Sequence, residues 1–226
     1  MKKKNKFQVF CVIGKSGSGK GTQVELLKKK FKDVFHIVLG DLLRAFIKQD
    51  NRIARTVGAK MNKGELAPDW LADYLWQKEF MKRAGKVRFV IFEGNPRTIK
   101  QAEELEDFCK TVFNSLPLAV YLNISDSEAK RRLLIRLICK KCKKPVPYKM
   151  LAQNPKKCPF CGGPLEKRKD DGAKAILKRL VWFRTEVLPT LKYFKKQGRL
   201  VQVNGEQDVP EVFNELWAKL SKKLRF

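Results

Sequence analysis

Short apolar, β-prone runs alternate along this chain with longer stretches in which charged and apolar positions recur at helical spacing. The apolar runs are 7–13 (FQVFCVI), 35–39 (FHIVL), 87–92 (VRFVIF), 118–123 (LAVYLN) and 199–203. The stretches between them predict helices from Thr22 to about Phe31, over 41–49 (DLLRAFIKQ), 53–63 and 69–84, the last opened by Pro68. Further helices are predicted over 98–113, over 127–138 behind an N-cap at Ser125 or Asp126, over 172–196 and over 208–224. Strands alternating with helices mean parallel βαβ units, so the predicted fold is α/β, a central parallel sheet of five strands with helices on both faces. One stretch breaks the pattern. Residues 139–170 are rich in Cys, Pro, Gly and Lys, show no periodic element and are too long for an ordinary loop. They read as a small insert with its own source of order. No internal repeat is present.

A chain of 226 residues, 43% of them hydrophobic, is long enough for one such core and its insert. No apolar run approaches the ~20 residues of a membrane span. The start, MKKKNK followed by FQVFCVIG, has the outline of a signal peptide, but the apolar part is short and enters a glycine-rich loop without a cleavage site. The expectation is a cytoplasmic protein with a solvated basic tail. The net charge of +27 would attract nucleotides, RNA or membrane surfaces. Many lysines fall at solvent-facing helical positions, as in ELLKKKFKD, and no nucleic-acid motif accompanies them. The charge is therefore read as a lysine-rich surface around a site for highly charged phosphates.

The run from Gly14 to Thr22 (GKSGSGKGT) joins a predicted strand to a predicted helix, the setting a phosphate-binding loop needs. Glycines at 14, 17 and 19 let the backbone turn tightly and aim its N–H groups at one point, and the helix N-terminus adds a positive dipole end. Gly17, Ser18, Gly19, Lys20, Gly21 and Thr22 are the candidate ATP-binding residues, with Lys20 a point charge for the β- and γ-phosphates. Two Cys-x2-Cys pairs, Cys139/Cys142 and Cys158/Cys161, stand fifteen residues apart in the insert. That spacing matches a four-thiolate structural zinc site, and Pro159 and Gly162-Gly163 supply turn chemistry. Disulfides are the alternative, disfavoured in a cytoplasmic protein, and a nucleic-acid-binding zinc ribbon is the rival function. Cys11 and Cys109 lie in apolar and helical runs and read as buried small hydrophobes.

In the loop, Gly21 stands between Lys20 and Thr22, where Ser or Thr would usually follow the lysine directly. GKSGSGKGTQ thus resembles the signature of the adenylate kinase family, and the resemblance continues in order over about residues 7–220. LGDLLR at 39–44 is similar to the family's TGDMLR, and EGNPRTIKQAEEL at 93–105 to its DGFPRTxxQAxxL. RRLLIR at 131–136, the cysteine insert, and EKRKDD at 166–171 with Arg179 resemble its lid and return. The resemblance implies a P-loop core over 1–38, 69–138 and 171–226, a helical acceptor-binding flap over 39–68 and a zinc-bearing lid over 139–170. It implies a monomeric enzyme that passes the terminal phosphoryl group of ATP to AMP. Phosphoryl transfer of this kind rests on alignment and charge neutralisation, for which the planar arginine fork is suited.

By the same resemblance Lys20, Arg97, Arg136, Arg168 and Arg179 are catalytic. Leu39, Gly40, Arg44, Gly94, Arg97, Gln101, Arg168 and Arg179 meet AMP. Arg132 covers the donor base, Arg136 reaches the donor phosphates, and Asp170 and Asp171 organise the arginines as the lid closes. Asp41 and Glu93, at predicted strand ends, are candidates to position magnesium through water. His36, the single histidine, is assigned to the second strand and not to catalysis. The sequence departs from the family mostly on the acceptor side. Leu39 replaces a threonine, Asn95 an aromatic residue, Glu93 an aspartate and Glu65 a lysine. A kinase of another nucleoside monophosphate, or a non-catalytic basic nucleotide- or RNA-binding protein of the same fold, are the rival functions.

Overall fold

The computed structural model describes residues 7–82, 87–146, 150–151, 156–168 and 171–224. Its centre is a parallel five-stranded sheet ordered β2-β3-β1-β4-β7, from β1 (Gln8–Ile13), β2 (Val34–Val38), β3 (Phe89–Glu93), β4 (Leu118–Asn123) and β7 (Leu200–Asn204). β1 is central, and its side chains alternate between two cores. Val9, Cys11 and Ile13 join a cluster under α4 (Asp69–Met81), α5 (Ile99–Phe113) and α8 (Leu188–Lys196), built around Trp76, Phe80, Phe92 and Phe194. Phe10 and Val12 face α1 (Lys20–Lys30) and the last helix, α9 (Val209–Leu224), through Val24, Leu27, Leu216 and Leu220. Burial on both faces is why these strands read as continuous apolar runs. Cys11 and Cys109 are fully buried in the first cluster, as their apolar settings predict.

A smaller core lies beside the sheet, where α2 (Leu39–Phe46) and α3 (Arg52–Asn62) pack with the start of α4 through Leu39, Leu43, Val57, Ala67 and Leu71. α6 (Asp126–Leu134) follows β4 and is capped by Ser125, whose hydroxyl accepts from the Glu128 N–H. β5 (Leu137–Cys139) and β6 (Leu165–Lys167) pair antiparallel at the base of the insert, and α7 (Ala173–Trp182) follows.

Three boundaries differ from the sequence pattern. Leu39 opens α2 instead of ending β2. The helix predicted over 127–138 stops at Leu134, because Leu137–Cys139 is drawn into pairing with 165–167. The helix predicted over 172–196 contains a π turn at Phe183–Val187. Pro189, just beyond it, has no N–H to continue the α pattern and its ring crowds the carbonyl four residues back; a wider turn relieves both.

Candidate active site

The loops leaving β1, β3 and β4 meet at one edge of the sheet, the place where open parallel sheets hold their ligands. β1 and β3 are in register with Val12 opposite Glu93, which brings the 14–19 loop beside the 94–97 loop. Gly14 admits no side chain: a Cβ there would lie 2.6 Å from the Ser18 hydroxyl and 2.7 Å from the Leu122 carbonyl. Gly19, at φ 89°, turns the chain into α1 in the left-handed region that favours glycine. α1 then begins with no side-chain cap and no acidic residue in its first turn. Its first N–H groups and positive dipole end are left for an anion.

Cations converge on this point. Lys20 folds back onto its own loop, its Nζ donating to the Gly14 and Lys15 carbonyls at 2.8 Å each. Burial pushes its pKa down to about 8; Glu93 opposes the shift, while Arg97, Arg136 and Arg179 add to it. Arg97 is fixed by three bonds: its N–H donates to Gln101 Oε1 (2.8 Å), its Nε to the Gly94 carbonyl (2.9 Å), and its carbonyl accepts from Thr190 Oγ1 (3.3 Å). Among the described residues no carboxylate pairs with its guanidinium. Burial first, then Arg179, Arg44 and Arg168, lower its pKa to about 10. Ile13, Gly14, Ser16, Lys20, Gly94, Pro96, Arg97, Trp182 and Val187 enclose a pocket of about 30 Å³ between these groups.

Asp171 is the buried anion that orders the other arginines. It takes Arg136 in a bidentate pair, Nε and Nη2 both at 2.6 Å, and Arg179 Nη1 at 2.9 Å. Arg168 lies close enough to depress Arg97 and Arg136. Asp170 falls outside the described residues.

The remaining candidates make contacts within the protein. Arg132 is 5% exposed and clamps structure together, donating to Glu128 (2.5 Å) and to the carbonyls of Gly17 (3.4 Å) and Gly205 (3.0 Å). Leu39 is 1% exposed, its side chain packed in the small α2–α4 core. Gln101 is buried with both ends of its amide engaged, one by the Arg97 N–H and the other by Asp69 Oδ1 at 2.8 Å. Arg44 pairs with Asp41 and lies over Gly40, whose missing Cβ makes room for the guanidinium. Asp41 also lines a hollow of about 370 Å³ along β2, which none of the other candidates touches. Glu93 binds His36 Nε2 at 3.1 Å and sits 3.5 Å from where a Gly21 Cβ would be. Asn95 is wholly buried, and neither amide atom has a partner among the described residues.

Two groups had no sequence signal. Lys15 ties the loop to β4's end, bonding the Ile124 carbonyl (2.5 Å) and Asp126 (2.8 Å). Trp182 borders the pocket between Lys20 and Arg97. Both are single residues with a hydrogen-bond partner more than a hundred positions away.

In the insert, Cys139, Cys142, Cys158 and Cys161 gather with all four sulfurs within 4.8 Å of one another. Cys139–Cys161 and Cys142–Cys158 are 3.5 and 3.7 Å apart, too long for disulfides and close to the edges of a tetrahedron with ~2.3 Å metal–sulfur bonds. The Lys141 and Cys142 N–H groups point at Cys139 Sγ at 3.3 and 3.4 Å. Burial resists ionisation there, but these donors, together with the neighbouring Cys161 and Cys142 thiols, hold the Cys139 thiol down to about 6. The group could hold a metal ion.

Comparison with known proteins agrees with this geometry. A family description, adenylate kinase, matches residues 12–199. The chain is 32% identical over 207 residues to the adenylate kinase of Thermosipho melanesiensis, covering 90% of this chain and 95% of that one. It is 32% identical over 216 residues to that of Methanothrix thermoacetophila, covering 94% and 98%. The chain belongs to the adenylate kinase family. It is accordingly an ATP:AMP phosphotransferase. The five-stranded parallel sheet and the four-cysteine insert are consistent with the family's zinc-lid type. Among the described residues no helix is long and apolar enough to cross a membrane.

Proposed function

We propose that Lys20, Arg97, Arg136, Arg168 and Arg179 form the phosphate clamp of this adenylate kinase. The observation that carries the reading is the cluster of half-buried cations around the uncapped start of α1, in which, among the described residues, Arg97 has no carboxylate to supply a negative charge. Bound phosphates would supply that charge. The transferring group carries charge on its three equatorial oxygens, and fixed donors already in place stabilise it without reorganising at the moment of reaction. The 14–22 loop and Lys20 hold the donor phosphates, Arg97 and Arg44 the acceptor phosphate, and Arg136, Arg168 and Arg179 the group in flight. Arg44 exchanges Asp41 for the acceptor. The donor base lies beside Arg132, a placement supported by its contact with both Gly17 and Gly205.

Gln101 is read as the residue that fixes Arg97's loop against Asp69, with any contact to the base made in addition. Glu93, beside Gly21, is the carboxylate placed to orient water on the magnesium that arrives with ATP. Asp41 is the weaker candidate, being exposed and paired with Arg44. Zinc suits the four cysteines, where it would order the 139–170 lid; four thiolates leave it no open position for chemistry. Closing the 39–68 flap and this lid would exclude water from the transfer.

The test is ATP-dependent turnover with AMP, GMP, CMP and UMP. AMP is expected to give the highest kcat/KM. Preference for a pyrimidine monophosphate would move the enzyme to another acceptor class.

A further inference from the structure

We propose that Trp182 is a positioning residue for acceptor binding, joining the acceptor flap to the arginine that grips the acceptor's phosphate. The inference rests on the reading of Arg97 given above. Two contacts made by one side chain carry it. The indole Nε1 donates to the Gly64 carbonyl at 3.0 Å, a bond between residues 118 positions apart. The Arg97 guanidinium carbon lies 5.5 Å from the centre of the same ring.

Each contact reaches something that needs it. Gly64 ends the 39–64 segment in the left-handed region, φ 82°, and comes so close to α7 that a Cβ would lie 3.1 Å from Ala175 Cα and 3.2 Å from its carbonyl oxygen. The segment is thus seated on α7, and Lys178–Glu65, at 4.0 Å, lies alongside. Arg97 carries its charge in a buried setting surrounded by other arginines, with no carboxylate partner among the described residues. An aromatic face offers such a cation a neutral, weakly attractive wall that an arriving phosphate does not have to displace. Trp182 is also part of the lining of the pocket between Lys20 and Arg97.

Tryptophan alone among the aromatic residues combines an apolar face with a donor N–H and no acceptor. Its place at the end of α7, just before the π turn, matters because the helix that follows the turn, α8, carries Thr190, whose hydroxyl donates to the Arg97 carbonyl and the Glu186 carbonyl. Arg97 is therefore held by the 182–190 region at its backbone and braced there at its guanidinium. When Gly64 docks on Trp182, the ring that braces Arg97 is fixed at the same moment. Closing the flap and orienting the clamp become one event.

Two substitutions separate the contacts. Trp182→Phe keeps a ring face and loses the N–H. Trp182→Leu loses both. Steady-state kinetics should be measured with AMP and ATP varied separately, normalised to active-site concentration. Trp182→Phe should raise KM for AMP about fivefold, the effect of one lost hydrogen bond, with kcat within about twofold of wild type. Trp182→Leu should raise it further and lower kcat about tenfold, while KM for ATP stays unchanged in both. A purely structural role would lower melting temperature and active fraction yet leave both KM values alone. That result, or equal shifts in KM for AMP and ATP, would overturn the proposal. Wild-type enzyme that uses a different monophosphate better than AMP would contradict the acceptor assignment instead, and the same variants tested with that acceptor would still decide the role of Trp182.

Discussion

Lys20 shows what the site demands of a single residue. Its ammonium is buried among arginines, and its pKa falls to about 8 from an ordinary value near 10.5. Below pH 8 the folded protein must carry that charge at a cost; as pH rises from 8 towards 10.5 the folded state sheds the proton more readily than the unfolded chain, and stability rises relative to neutral pH. Phosphate binding needs the charged form. The prediction is that kcat/KM for ATP declines above about pH 8 while kcat declines only at higher pH, because bound phosphates raise the lysine's pKa again. Parallel profiles with no break below pH 10 would contradict it. Asn95 tests the other extreme, a buried amide with no partner among the described residues, where the family pattern it resembles has an aromatic ring. An unsatisfied buried amide costs ~1–3 kcal/mol. Asn95→Leu, close to it in volume, should therefore raise the melting temperature by about 2–4 °C. A fall of similar size would mean that a bound water pairs the amide. Arg97, Arg136 and Arg179 are candidates through the resemblance to the adenylate kinase family, and of the clamp only Lys20 was legible in the spacing of its own loop. What Gln101, Leu39 and Arg132 touch was not, since each is fixed by packing against a distant element.

At the scale of elements, periodicity located the strands and helices of the core because each has one role: a strand buried on two faces or a helix with one apolar stripe. It failed where tertiary pairing overrides local preference, at Leu137–Cys139, and where one proline changes the pitch of a long helix, at Phe183–Val187. The insert is the element with least apolar material; Cys139, Val146 and Cys158 are its buried hydrophobic residues among those described. Beyond the β5–β6 pairing, the four gathered cysteines are its candidate source of order. We predict one zinc per chain, and we predict that chelation lowers the melting temperature and frees four thiols to titrate. Metal analysis of untagged protein gives the answer. A metal-free preparation with the same melting temperature would remove the zinc from the account.

Across the whole molecule, the sheet order and the register of β1 with β3 and β4 bring three loops to one edge, where Arg136 and Arg179 share one buried aspartate in a chain of net charge +27. The large charge alone suggested polyanions of any kind. The proposed clamp would narrow this to a small ligand with several phosphates, held at a helix start and surrounded by forks that match phosphate oxygens. A binding protein would need the first part only. A clamp of Arg97, Arg136 and Arg179 ordered around the same point as Lys20 is what an enzyme needs for a charge that develops during transfer. The most direct measurement of that claim is the turnover of Lys20→Ala and Arg97→Ala with ATP and AMP, with folding checked by circular dichroism. Loss of the charge at the transition state predicts a fall in kcat of about 10³-fold or more for each, in a protein that remains folded. Near wild-type turnover in both folded variants would contradict the assignment of the site.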